Sequence, residues 1–144
     1  MSFDLTPDQI ASLHQHANQA AQNSYSPYSH FRVGAAILLH ADAGQDGVVV
    51  AGTNVENASY RLTSCAEQSA IAAAVTLYGP SIRIRAVAVV NLNGAACMPC
   101  GACRQTILEF AAPDAAIFYP SAAGATVSTT LADLLPAAFR LTPE

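Results

Sequence analysis

"CAEQSAIAAAVTLYGPSIRIRAVAVVN", residues 65–91, decides the fold. Its first half is an alanine-rich run ended by Gly79-Pro80, which predicts a helix over 65–79. Its second half, from Ile82 to Asn91, alternates at first and then turns wholly apolar, as a central strand does. Working towards the C-terminus, 100–110 predicts a second core helix and 115–120 another strand. A short fifth strand follows at 124–130, then a short helix and tail at 130–139. Towards the N-terminus, 48–55 and 31–40 read as two strands joined by a hairpin turn in 41–47. The small residues of 31–40 require close packing. Thr6-Pro7-Asp8-Gln9 opens a first helix, with Thr6 as cap, Pro7 in the first turn and Gln9 closing a capping box. Ile10, Leu13, Ala17, Ala20 and Ala21 share one face of it, and "SYSPYS" (24–29) ends it. The β–α–β–α–β run in the second half implies strands covered on both faces. The expected architecture is a three-layer α/β/α sandwich with a mixed sheet of about five strands, spanning 1–144 as a single domain.

Composition narrows the function classes. The chain is 52% apolar and only 11% charged, against roughly 25% charged in an ordinary soluble domain. A surface so poor in charge is expected to be partly covered, most simply by further copies of the chain. No apolar run reaches the roughly 20 residues of a membrane span. The first 20 residues contain Asp4, Asp8 and two histidines and lack a basic-then-apolar pattern, so no signal peptide is expected. The cytoplasm is the expected location, where cysteines serve as core, metal or catalytic groups rather than disulfides. Net charge is −4 with no basic run, which argues against a nucleic-acid groove.

The chemistry lies in "CAEQ" (65–68) and "PCGACRQ" (99–105). Cys100 and Cys103 are three apart at a predicted helix start, so their sulfurs share one side of the first turn. Cys65 stands at another helix start. Helix N-termini stabilise thiolates through the dipole and free N–H groups. Three thiolates from two helix starts make a three-ligand zinc site with an open fourth position, the arrangement of catalytic rather than structural zinc. Glu67, in the same first turn as Cys65, is placed to take a proton from a zinc-bound water and deliver it to a substrate nitrogen. Taken alone, such a glutamate can also be a mere dipole partner. Cys97 and Cys100 form a second C-x-x-C pair, so spacing leaves Cys97 open as a ligand. Its position at a strand end favours a non-ligand role. The four histidines read as structural or exposed.

These residues fit the H-x-E…P-C-x-x-C signature of zinc nucleobase deaminases, with Cys65 in the histidine position. "YSPYSHFRVGAA", "GTNVENASY", "CAEQSAI", "PCGACRQ" and "LLPAAF" together resemble the small homotetrameric cytidine deaminases, in order and spacing. The resemblance implies one zinc per subunit on Cys65, Cys100 and Cys103, and Glu67 as proton shuttle. It implies a nucleoside pocket with Asn54 and Glu56 on the ribose hydroxyls, Phe31 beside the base and the Ala66 backbone touching the base. A carboxylate there would repel phosphate, favouring free nucleosides. Tyr60 and Phe139 match groups given to a neighbour's active site, making sites shared across a homotetramer. Alone, Phe139 could equally plug the C-terminal tail. The implied reaction is hydrolytic deamination of cytidine and 2′-deoxycytidine to uridine and 2′-deoxyuridine plus ammonia, in pyrimidine salvage. Neither nucleic acid nor membrane is an expected partner.

One position departs from that family. Many relatives carry arginine after the C-A-E triplet, where it offsets the formal −1 charge of three thiolates on Zn²⁺; here Gln68 stands there. Glutamine can still donate to sulfur but carries no charge, so the helix dipoles and Arg104 are expected to supply more of the compensation. Two other readings are a deaminase of a modified cytidine or aminonucleoside antibiotic, and a non-catalytic zinc-stabilised domain with Cys97 as fourth ligand. A nucleic-acid-editing deaminase fits less well, for want of a basic groove.

Overall fold

The computed structural model describes residues 3–40 and 47–142. Most of the hairpin turn expected at 41–47 lies outside the described residues. The elements are α1 (Pro7–Ala21), β1 (Val33–Leu39), β2 (Val49–Thr53), a 3-10 turn at Tyr60–Leu62, α2 (Ala66–Tyr78), β3 (Ile84–Asn91), α3 (Gly101–Phe110), β4 (Ala111–Pro120), β5 (Thr126–Thr130) and α4 (Leu131–Leu134). The α1 cap forms as its sequence demands: Gln9 N–H donates to Thr6 Oγ1 at 3.1 Å, and Thr6 N–H to Gln9 Oε1 at 2.8 Å. Among the described residues no helix is long and apolar enough to cross a membrane.

The five strands lie in the order β2-β1-β3-β4-β5. β3 and β4 are parallel, and the other neighbours antiparallel. β1 is buried along its whole length, as a central strand must be. Its residues sort by face. Ala35, Ile37 and Leu39 join Val87, Val89 and Ile117 beneath Ala70, Ile71 and Ala74 of α2 and Ile107 and Leu108 of α3. Ala36 and Leu38 join Ala86, Ala88, Ala116 and Phe118 beneath Leu13 and Ala17 of α1. The mixed sheet and its three layers match the sequence-based expectation, but the layers are filled differently. Both crossovers, β2 to β3 and β3 to β4, step the same way across the sheet. One handedness therefore puts α2 and α3 on one face, and the opposite face is left to α1.

Two glycines set the closeness of those layers. A Cβ at Gly34 would lie 1.9 Å from Ala17 O, and one at Gly52 would lie 2.3 Å from Ala70 N and 2.7 Å from Ala66 O. Gly34 thus lets α1 rest on β1, and Gly52 lets the first turns of α2 rest on β2.

Strand direction then places the site. β2 and β3 both run opposite to β1, so their C-terminal ends share one edge of the sheet with the start of β1. α2 and α3 begin just beyond those C-terminal ends, which is where ligands bind in α/β sheets.

Candidate active site

Cys65 is the N-cap of α2, and Cys100 the N-cap of α3. Cys103 lies in the first turn of α3 and is fully buried. The three Sγ atoms lie within 4.8 Å of one another. Tetrahedral zinc with Zn–S near 2.3 Å asks for sulfurs about 3.8 Å apart, so the triplet fits that ion. Thiol chemistry agrees. A hydrogen bond from Cys103 pulls the Cys65 thiol down to about 7. The same bond, with burial, holds the proton on Cys103 and pushes its thiol up. Mutual repulsion and burial oppose three thiolates standing together unless a cation joins them.

Backbone groups also face these sulfurs. Cys103 N–H points at Cys100 Sγ at 3.4 Å, and both caps sit at the positive ends of helices. The two side chains expected to assist do other work. Gln68 Oε1 accepts the Cys65 N–H at 3.2 Å, closing the reciprocal half of a capping box rather than donating to sulfur. Arg104 donates from Nε to Pro99 O at 2.8 Å and from Nη1 to Leu134 O at 2.7 Å, while Nη2 lies 2.7 Å from Met98 Sδ. Its guanidinium is thus a strut between the turn before Cys100 and the C-terminal segment. Those donors go to carbonyls and a thioether, so what Arg104 offers the sulfurs is its charge and not a hydrogen bond.

Glu67 occupies the first turn of α2 but is only 4% exposed. A glutamate kept merely as a dipole partner stays in water, so burial decides against that reading. Burial also pushes its carboxyl above the usual carboxylate range, so it holds a proton readily. Glu67 and the three cysteines open on one cavity of about 250 Å³. Cys97 lines it too, but burial, with Glu67 and the other sulfurs nearby, pushes its thiol up to about 11. Its N–H is tied to Pro120 O at 3.1 Å, and it stands outside the convergent triplet.

The far end of the cavity is built by residues 54–56. This segment runs extended between two neighbours, bridging to Tyr25 on one side and Ser64 on the other. Alternation follows: Asn54 is 8% exposed and Glu56 5%, while Val55 between them is 46% exposed. Asn54 Oδ1 accepts from Val33 N at 3.0 Å and from Ser24 Oγ at 2.5 Å, and Nδ2 donates to Phe31 O at 2.7 Å. Partners of fixed polarity on both sides set the amide orientation, and one Nδ2 hydrogen stays free. Glu56 Oε1 accepts from Tyr28 N at 3.0 Å and Ser29 N at 3.2 Å. Glu56 Oε2 accepts from Ser29 Oγ. The Ser29 hydroxyl is the main reason that the Glu56 carboxyl lies below the usual carboxylate range.

Phe31, Ala66 and Tyr60 line the same cavity. Tyr60, matched above to a neighbour's site, here borders the cavity of its own chain and is 61% exposed. Phe139 does not line it. Phe139 is 68% exposed, with its carbonyl held by Gln105 Nε2 at 3.0 Å. Cys97 and four residues that carry no role in the sequence reading, Ser29, Val33, Thr63 and Met98, complete the wall. Ser29 lay inside a quoted motif, but its alignment with Glu56 is tertiary. Thr63 Oγ1 is buried without a hydrogen-bond partner, the single such side-chain atom among the described residues.

Known proteins match this arrangement. A profile of the "cytidine and deoxycytidylate deaminase zinc-binding region" matches residues 7–119. A cytidine deaminase of Halalkalibacterium halodurans is 41% identical over 128 residues, covering 88% of this chain and 91% of that protein. One from Mycobacterium tuberculosis is 44% identical over 129 residues, covering 90% and 88%. The crystal structure of a cytidine deaminase from M. tuberculosis superposes with a TM-score of 0.77 at 42% identity, over 92% of this chain and 98% of that one. That of Burkholderia pseudomallei gives 0.77 at 38% identity, over 94% and 100%. With the three-thiol cluster and the buried Glu67 held at the C-terminal edge of the sheet, the chain belongs to the cytidine and deoxycytidylate deaminase family, a family of zinc-binding enzymes.

Proposed function

We propose that this protein hydrolyses cytidine and 2′-deoxycytidine to uridine and 2′-deoxyuridine plus ammonia, serving pyrimidine salvage in the cytoplasm, with residues 1–144 forming one deaminase domain. The observation that carries this reading is a buried glutamate opening on one cavity with three convergent thiols and the buried pair Asn54 and Glu56. Cys65, Cys100 and Cys103 hold one zinc per subunit, and zinc bound there supplies an acidified water as the nucleophile at neutral pH. Glu67 carries one proton of the attacking water to N3 of the cytosine ring, which keeps it, and then carries the second, from the new C4 hydroxyl, to the leaving amine. Carbon C4 gains oxygen and loses ammonia, so cytidine plus water balances uridine plus ammonia. Phe31 flanks the base. Ala66 N–H, in the first helical turn, has no intrahelical acceptor and is free to meet the base.

The sugar end supports both nucleosides. After its protein partners, Asn54 has one donor left and Glu56 Oε2 has acceptor capacity left. A single hydroxyl that accepts from one and donates to the other satisfies both. Cytidine and 2′-deoxycytidine share such a hydroxyl, so the 2′ position goes unread. The Glu56 carboxylate repels a phosphate, which favours free nucleosides over nucleotides. The assembly is a homotetramer in which Phe139 of one subunit reaches another's site. Its support is the exposure of Tyr60, Leu62 and Phe139, each above 60%.

Ultraviolet absorbance of cytidine, followed with wild type and Glu67→Gln alongside zinc analysis, tests the reading. Active wild type and a zinc-replete variant slowed by at least about 100-fold are expected. A zinc-loaded wild type that leaves cytidine untouched defeats it.

A further inference from the structure

We infer that Ser29 is a positioning residue for substrate recognition: its hydroxyl sets which oxygen of Glu56 faces the substrate. The inference rests on the nucleoside reading of the site. Two backbone donors, Tyr28 N–H and Ser29 N–H, fill Glu56 Oε1 at 3.0 and 3.2 Å. Oε2 takes one protein donor, the Ser29 hydroxyl. That hydroxyl has a fixed sense, because Ser29 Oγ accepts the Phe31 N–H at 3.0 Å and a carboxylate oxygen can only accept. The relay runs from Phe31 N–H through Ser29 Oγ–H to Glu56 Oε2. It connects the backbone of Phe31, whose ring flanks the base, to the side chain that reads the sugar, and Ser29 itself lines the cavity.

Removing the hydroxyl leaves Oε2 with no protein donor, and the carboxylate, held only at Oε1 by two backbone donors, can swing Oε2 away from the substrate. The surrounding loop keeps its other ties. His30 N–H donates to Ser26 O at 2.9 Å, and Glu56 N–H donates to Tyr25 O at 2.8 Å. Asn54 is held by Ser24, Val33 and Phe31, none of which needs Ser29. The effect of losing the hydroxyl is therefore confined to binding, away from Glu67 and the cysteines.

Wild type, Ser29→Ala and Ser29→Thr separate the possibilities through steady-state kinetics on cytidine and on 2′,3′-dideoxycytidine, with calorimetric uridine binding. Ser29→Ala is expected to raise KM for cytidine about tenfold, as loss of a hydrogen bond to a charged group does, with kcat changed less than about twofold. KM for the dideoxynucleoside, which has no ring hydroxyl to offer, stays put. Ser29→Thr restores the wild-type KM. A wild-type KM in Ser29→Ala, an equal loss on both nucleosides, or a Ser29→Thr as impaired as Ser29→Ala overturns the inference. Wild type that binds uridine but does not deaminate cytidine overturns the deaminase reading alone, and uridine affinity in the three proteins then decides on Ser29. Wild type that neither reacts nor binds overturns both.

Discussion

Cys97 and Cys100 have the same local spacing to a following partner and different chemistry. Cys100 caps α3 and has Cys103 N–H at its sulfur. Cys97 lies before the helix, its thiol kept protonated by burial and by Glu67. Cys100→Ser is expected to lose zinc and Cys97→Ser to retain it, as read by metal analysis after gel filtration against a chelator. Equal loss from both would make Cys97 a ligand. The three clustered cysteines and Glu67 were legible in the sequence because helix starts and i, i+3 spacing are local properties. Gln68 and Arg104 were not, because a long polar side chain takes whichever partner the fold brings. For Gln68 that is the N–H three residues back. For Arg104 one partner, Leu134, lies 30 residues away.

Among the elements, α2 carries most of the site, and its seat on β2 depends on a missing side chain. Gly52→Ala drives a methyl group against the backbone of Ala66 and Ala70, next to Cys65 and Glu67. Backbone cannot step aside as a side-chain end does. The substitution is expected to cost about 2 kcal/mol or more in urea-induced unfolding. It should also weaken zinc retention by shifting the first turn of α2. Unchanged stability and zinc content would mean that α2 does not need this approach. Element types and most boundaries followed from periodicity and punctuation: Thr6 to Gln9 at the start of α1, Gly79 at the end of α2. β4 starts at Ala111 rather than 115, directly off the end of α3, because Ala111 pairs with Ile84 at the start of β3 across a shift in register.

At the scale of the whole molecule, large apolar side chains stay in water: Tyr60 at 61%, Leu77 at 66% and Phe139 at 68% exposed. In a homotetramer with shared sites, mixed oligomers of Glu67→Gln and Phe139→Ala subunits should recover activity that neither parent has, because some sites draw an intact glutamate and an intact phenylalanine from different chains. Activity in the refolded mixture no greater than in the parents would confine each site to one chain. The sequence by itself determined that cysteines and a glutamate stand at two helix starts, the order of helices and strands and the poverty of charge, since each depends on neighbours within a few residues or on composition. Only the tertiary structure decided that α2 and α3 share a face while α1 covers the other, because that depends on the direction of two crossovers. It alone buried Glu67, turned Arg104 away from the sulfurs and aligned Ser29 with Glu56, because those contacts join segments that meet only when the sheet brings one edge of three strands together.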